Sequence, residues 1–402
     1  MHRSAVVHLP LHGGKAPQWL LSRMKSLGRA IVDLLVDEFG PDGLLQRISD
    51  PFWFQALSCV LAYDWHSSGT TTVLTGVLKS IISPTEHGVL IAGGKGAKSK
   101  ETPAQLEAGV SVVGAPGEIE TYQRASRLCA KVDSAALQDG YQLYHHCFFL
   151  SQTGQWAVIQ QGMNIAAKYA RRYHWSSETL TSFVKDPHSA ILCDTTQPGQ
   201  GVVNLVDNDC EPCQSVIVDL LQEGCHDLAP TLKRLQAHGS AQRSLLDWVP
   251  GQNAPHFTEE TMPWSPSLHW MLPRKINWDA ITLAAEVRPQ QFEDALLVKG
   301  LGAATLRGIA LVSALIYGQP PSFRDPVKYS FAFGGKDGVP HPVDRRGMEE
   351  TARVLRRALS RAGLGNNDEK RTLRLLGRLA KSWEVAQVPL AQQSGNPRWD
   401  PT

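Results

Sequence analysis

Residues 147–164 read CFFLSQTGQWAVIQQGMN. Two apolar runs of β-type composition flank Gln152-Thr153-Gly154. A run, a glycine turn and a second run predict an antiparallel hairpin, 147–150 against 156–164. Upstream, GVLIA (88–92) predicts another strand, leading into GGKGAKSK (93–100) and then Thr102-Pro103-Ala104-Gln105. That last group is a capping box with proline at the first helical position. Strand, glycine-lysine loop, helix is an order that cradles phosphate, with Lys95, Lys98 and Lys100 supplying charge. The spacing fits neither a Walker loop nor a dinucleotide fingerprint, so a polynucleotide backbone is the expected ligand, against the alternative of a solvated loop.

Helices surround this strand region. Residues 17–39 carry Leu20, Leu21, Met24, Leu27, Ile31, Leu34 and Leu35 at helical spacing, and Gly40-Pro41 stops the pattern. Ser49-Asp50-Pro51 caps and restarts a helix. Residues 117–133 predict a further helix, and an amphipathic one begins near Cys213. The expected fold class is α+β: a mixed domain with a small antiparallel sheet over 1–228, a proline- and tryptophan-rich linker or extended packing segment over 229–273, and a helical domain over 274–402.

The chain has 402 residues, 42% of them hydrophobic, and 40 Lys/Arg against 38 Asp/Glu for a net charge of +2. These figures predict a folded protein of two or three domains whose nucleic-acid surface, if present, comes from local clustering of charge. Seven cysteines, no leader-like segment and no apolar run of 18 residues predict a soluble, cytoplasmic protein with no membrane partner. Cys193, Cys210, Cys213 and Cys225, with His226, contain a single Cys-x-x-Cys pair, so buried thiols are expected rather than zinc. The sequence carries no sign of oligomeric state.

Polar groups are dense in two stretches. Tyr63-Asp64-Trp65-His66-Ser67-Ser68-Gly69 separates two apolar segments, and Lys131, Asp133, Asp139, His145, His146, Arg171, Arg172 and His174 crowd the hairpin. Phosphodiester chemistry wants ligands for a divalent metal, a base for water and cations for developing charge. Asp64, His66, Asp139 and His145 are candidate ligands for Mg²⁺ or Mn²⁺, with Asp133, His146 and His174 as further acid–base groups and Lys131 or Arg172 stabilising charge. A structural polar network is the alternative.

Residues 292–325, FEDALLVKGLGAATLRGIALVSALIYGQPPSFRD, predict helix, glycine turn, helix. Lys299-Gly300-Leu301-Gly302 places two glycines where a corner needs positive φ and close approach, and Leu306, Ile309, Ala310, Ser313 and Ile316 share one face of a helix over 303–317. Unpaired amides and the positive dipole end suit a DNA phosphate, with Lys299, Gly300, Gly302, Thr305 and Arg307 as the expected contacts. Lys328 and Lys336 follow, and eleven Lys/Arg against four Asp/Glu lie between residues 345 and 381. Such a basic pair of helices is the electrostatic footprint of a DNA binder.

Two resemblances follow from these motifs. HLPLHGGKAP, DWHSSG, KVDSAALQDGYQLYHH, WAVIQQGMN, RRYHW and RDPVKYSFAFGGKDGVPHPVDR together resemble a bacterial and archaeal family known as domain of unknown function 763, over most of the chain; that likeness implies no activity. The hairpin segment is similar to the helix-hairpin-helix DNA glycosylases, which implies a catalytic role for Asp325. Ala304 stands where lyase-type members of that group carry a nucleophilic lysine. The reading expected from sequence is a DNA-processing enzyme of the repair type acting on duplex, structured or damaged DNA, as a metal-assisted nuclease. A base-excision glycosylase or abasic-site lyase is the first alternative, and a non-catalytic DNA-binding protein the second.

Overall fold

The computed structural model describes residues 18–61, 68–192, 201–239, 273 and 275–327. Asp64, His66, Cys193, Lys328, Lys336 and the basic stretch 345–381 lie outside them. The architecture is α+β, a five-stranded antiparallel sheet covered on both faces by helices. Its strands are β1 (Val89–Lys95), β3 (Gln142–Ser151), β4 (Trp156–Asn164), β5 (Tyr169–Ser176) and β6 (Ala190–Leu192), paired in that spatial order. A two-stranded ribbon joins β2 (Leu137–Gln138) to β7 (Val203–Asn204).

Coverage on both faces explains why the strands read as continuous apolar runs rather than alternating ones. Side chains still alternate along each strand. Val89, Ile91, Cys147, Phe149, Ala157 and Ile159 point to one core, shared with α1 (Gln18–Ser49), α2 (Pro51–Val60) and α3 (Ser68–Ile81). Leu90, Ala92, Phe148, Leu150, Trp156 and Val158 point to the other. That second core takes in α5 (Thr102–Val113), α6 (Ile119–Lys131) and α7 (Glu211–Glu223), after the short α4 (Pro84–His87). It also takes in α8 (Cys225–Gly239), α9 (Trp278–Val287), α10 (Phe292–Leu297) and α11 (Ala303–Tyr317).

The helices expected to begin a separate C-terminal unit therefore share a core with the sheet. Arg124 pairs with Asp294 at 3.0 Å, and the Lys131 ammonium donates to the Leu301 carbonyl at 2.8 Å. Within the expected linker, residues 229–239 belong to α8.

Local chemistry sets several element ends. Asp50 caps α2 as expected, its carboxylate accepting from the Phe52 and Trp53 amides at 2.7 and 3.1 Å. At Gly40 (φ 71, ψ 178) the first helix kinks, and helical structure resumes at once through Ser49 instead of stopping. The turn after β3 falls where the sequence puts it, but β3 starts five residues earlier than expected, at Gln142.

The largest revision concerns the glycine-lysine loop. Gly93 and Gly94 belong to β1, opposite Cys147 and His146, and Lys95 pairs with His145. A tight 3-10 turn, Gly96–Glu101, then enters α5. The capping box does not form: the Thr102 hydroxyl donates to the Ser99 carbonyl, while the Gln105 amide oxygen accepts from the Gly93 amide at 2.9 Å and from Lys79 at 2.6 Å.

Gly93 sits at φ +89, where a Cβ would come within 2.3 Å of the His146 carbonyl oxygen. Both backbone strain and collision act against any side chain there. Gly93→Ala is expected to destabilise the protein by roughly 3 kcal/mol, read as a lower midpoint in urea unfolding. A midpoint equal to that of the unsubstituted chain would refute this close packing of β1 on β3.

Candidate active site

The paired strands divide lengthwise into an apolar end and a polar end. At the polar end β3 contributes His145 and His146, β4 contributes Gln160 and Gln161, and β5 contributes Arg171, Arg172 and His174. All seven side chains are buried. Alternation sends His145, Gln161, Arg172 and His174 toward α1–α3, and His146, Gln160 and Arg171 toward α6.

On the α1–α3 side, His145 Nε2 lies 3.1 Å from the Thr75 hydroxyl and His174 Nδ1 donates to the Ser49 carbonyl at 3.0 Å. Arg172 stacks over Phe54 and donates to Gln55 at 3.1 Å. Burial pushes His145 down to about 3 and carries His174 well below the usual imidazole range, with the Arg172 charge acting in the same direction on His174. Both rings are neutral in the folded protein.

On the α6 side, a hydrogen-bonded chain runs from helix to sheet and back. Ser126 Oγ is 2.8 Å from His146 Nε2, and His146 Nδ1 is 2.8 Å from Gln160 Oε1. Gln160 Nε2 lies 3.1 Å from the Cys129 carbonyl and 2.5 Å from Asp133 Oδ2. Asp133 also accepts from Trp175 Nε1 at 3.0 Å and from His188. Ser126, Cys129 and Asp133 fall on one face because positions i, i+3 and i+7 of a helix do. Asp133 itself stands in a π turn, Val132–Ala136, that closes α6. Burial holds His146 below its ordinary range.

Ser126 and His146 line a cavity of about 230 Å³. Tyr144, Thr102, Lys100 and Arg127 also line it, with Pro103, Ala130 and Leu143 as apolar wall, Lys100 and Arg127 being exposed. Lys95 and Lys98 are exposed on the same turn. A larger groove of about 560 Å³ borders α7, where Asp219, Glu223 and Arg288 line it. Its lining sets two carboxylates against one guanidinium.

A second polar knot lies further along the α6 face. Arg171 pairs with Asp139 at 2.9 Å and, through both terminal nitrogens, with Asp325 at 3.0 and 2.8 Å. The Tyr173 hydroxyl donates to Asp139 at 2.7 Å. Burial raises the Asp139 carboxyl, opposed by the Arg171 charge.

The proposed metal ligands Asp139 and His145 point to opposite faces of the sheet. Asp139 is enclosed by Arg171 and Tyr173. Asp64 and His66 lie outside the described residues, and among those described no group of three or more His, Cys, Asp or Glu is placed to hold a metal ion. Asp133, Asp139, His146 and Asp325 do gather on the α6 face, while Arg172 and His174 fall on the other. Lys131 sits half-buried beside the α10–α11 hairpin, its ammonium pushed below the usual lysine range by desolvation. Cys210 and Cys213 are buried thiols, raised to about 11 and about 12 by burial.

In the hairpin, only Gly300 takes positive φ (85); Gly302 is extended (φ −122, ψ 177) and caps α11. Thr305 is buried, its hydroxyl accepting from the Asn277 amide at 3.0 Å, and Arg307 donates to Gln138 at 2.7 Å. Thr305 is enclosed, while Arg307 is half-buried. Lys299 and Gly300 are exposed. Ile316, expected on the buried face, is 57% exposed, because the last turn of α11 projects past the core.

The family profile described as "Protein of unknown function (DUF763)" matches residues 5–343. The chain belongs to that family. No curated protein and no solved structure matches it. Among the described residues, no helix is long and apolar enough to cross a membrane. Ser126 is the residue that sequence inspection passed over in this member of DUF763. Its signal was present as the spacing Ser126, Cys129, Asp133, but a hydroxyl in a helix has no chemical meaning until a base is found beside it.

Three neutral buried histidines give a pH signature. Their folded pKa values lie below the unfolded value of about 6.5, so the unfolded chain binds more protons and stability falls as pH drops below about 6.5. For His145 the loss continues to about 3. Each such ring contributes a slope of up to about 1.4 kcal/mol per pH unit. Unfolding free energies at pH 7, 6, 5 and 4 should show His145→Gln losing less than the wild type over this range; parallel curves would contradict a neutral His145.

Proposed function

We propose that this DUF763 protein binds DNA and acts on its phosphodiester backbone, as a nuclease of the repair type. The observation that carries the reading is the cavity in which Ser126 and His146 meet under the exposed cations Lys100 and Arg127, with Lys95 and Lys98 on the adjoining turn. Cations at a rim draw in polyanions, and a neutral imidazole hydrogen-bonded to a hydroxyl is the equipment for transferring a proton during attack at phosphorus. At about 230 Å³ the cavity is smaller than usual pockets for whole drug-sized ligands, which suits a phosphate with part of its sugar.

The α10–α11 hairpin supports the same reading as a grip on the backbone, in the manner of a helix-hairpin-helix, through Lys299, Gly300 and the α11 N-terminus. A second reading, a glycosylase with lyase activity, is favoured by one observation: the Lys131 amine, made less basic by desolvation, lies beside that hairpin. Against it, Asp325 is engaged bidentately by Arg171.

Labelled single-stranded, duplex, flapped, abasic and base-modified DNA should reveal cleavage. Runs with EDTA and with Mn²⁺ decide whether a divalent metal takes part, and borohydride trapping on abasic duplex would mark the lyase. In anisotropy titrations, reversing Lys95, Lys98 and Lys100 to Glu together is expected to weaken duplex binding roughly tenfold or more near 0.1 M salt and to flatten its salt dependence. Lys299→Glu, made separately, should do so to a smaller degree. Affinities untouched by either change would remove the case for DNA.

A further inference from the structure

The buried Ser126–His146–Gln160–Asp133 chain has a direction, fixed by hydrogen-bond valence when the imidazole is neutral. Gln160 Nε2 faces two groups that only accept, the Cys129 carbonyl and the Asp133 carboxylate, so it is the amide nitrogen. The other amide atom, Oε1, therefore faces His146 Nδ1, and an oxygen that only accepts requires Nδ1 to carry the proton. In the neutral ring this leaves the lone pair on Nε2, which lies 2.8 Å from Ser126 Oγ. The hydroxyl must donate. The Cys129 carbonyl and the Asp133 carboxylate, both beyond Gln160, thus decide which nitrogen meets the serine.

We propose that Ser126 is a covalent nucleophile, with His146 as its general base and Gln160 and Asp133 as positioning residues. This rests on the phosphodiester reading for its substrate, but its chemistry is separable from DNA. Ser126 Oγ would attack phosphorus as its proton moves to His146 Nε2. The bond from phosphorus to the leaving oxygen, in line and opposite Oγ, breaks, and that oxygen takes a proton from a water on its own side. The hydroxide so formed attacks the phosphoserine ester from that side, and Ser126 Oγ takes its proton back from His146 Nε2 as the Oγ–P bond breaks, releasing a phosphomonoester. No oxidant or reductant enters. In the imidazolium state, Nδ1–H stays bonded to Gln160 Oε1, whose amide is polarised by Asp133. Lys100 and Arg127 at the cavity wall would meet the charge that develops on the non-bridging oxygens.

The test uses the full-length protein and a biotinylated fluorophosphonate, which reacts with an activated serine to form an Oγ–P bond and release fluoride. Intact mass and peptide mapping should place a single adduct on Ser126, absent in Ser126→Ala. His146→Gln should label roughly 100-fold more slowly or worse, the usual worth of a positioned base. Asp133→Asn, which removes the carboxylate charge behind Gln160 and leaves the Cys129 carbonyl as its fixed acceptor, should slow labelling while leaving its dependence on probe concentration unchanged. Melting curves establish that each variant is folded.

No adduct on Ser126 in folded wild-type protein, or equal labelling rates in wild type and His146→Gln, would overturn the proposal. The DNA panel separates it from the reading it rests on. Labelling of Ser126 with every DNA left intact would keep the nucleophile and remove DNA as substrate. Cleavage by Ser126→Ala at the wild-type rate would keep the nuclease and remove Ser126.

Discussion

A buried carboxylate cannot stand alone, and much of this structure is arranged around that constraint at Asp133. The side chain is 1% exposed, and three donors from separate segments converge on it: Gln160 from β4, Trp175 from β5 and His188 beyond it. A buried acceptor left unmade costs on the order of 1–3 kcal/mol, more when charged, so each donor is held firmly. Trp175 and His188 are in ring contact, with centroids 4.5 Å apart, which closes the wall around the carboxylate. Position on the sheet, orientation of one amide and the tautomer of one imidazole all descend from this anchor.

The division of the sheet into an apolar and a polar end gives the anchor its setting. Phe148, Leu150, Val158 and Trp175 fasten the sheet to the helices, and further along the same strands the face carries His146, Gln160, Tyr173 and Arg171. Rigid packing beside a polar row is what holds catalytic groups to within fractions of an ångström. The Gly93–Gly94 step of β1 belongs to this logic, since the bare backbone allows the strand edge to close against His146 where a side chain would hold it open.

Local features were readable from sequence where the cause is local. The α10 and α11 boundaries, the α2 cap at Asp50 and the turn at Thr153-Gly154 follow from periodicity, capping and turn chemistry, which act over a few residues. The polar end was visible as a cluster but not as two faces, because alternation decides faces only once register is known. Asp139 and His145 look like partners in the sequence and are separated by the sheet. Arg171 and Arg172 read as neighbouring cations of one site, yet they are buried on opposite faces, and the carboxylate that completes the Arg171 pairing lies 154 residues away. Ser126 acquires significance only through His146, which arrives from a different element.

The Arg171–Asp325 pair also sets an order of events during synthesis. With translation at about 5–20 residues per second, the 154 residues between them take roughly 8–30 s to emerge. For that interval the sheet can form, but its arginine lacks the second carboxylate, and a desolvated cation short of a counter-charge weighs against closing the interior around it. The Arg171 pairing thus completes after the other hydrogen bonds of the polar end, whose partners lie upstream. A nascent or truncated chain ending before Asp325 would hold the sheet with Arg171 paired to Asp139 and not yet to Asp325.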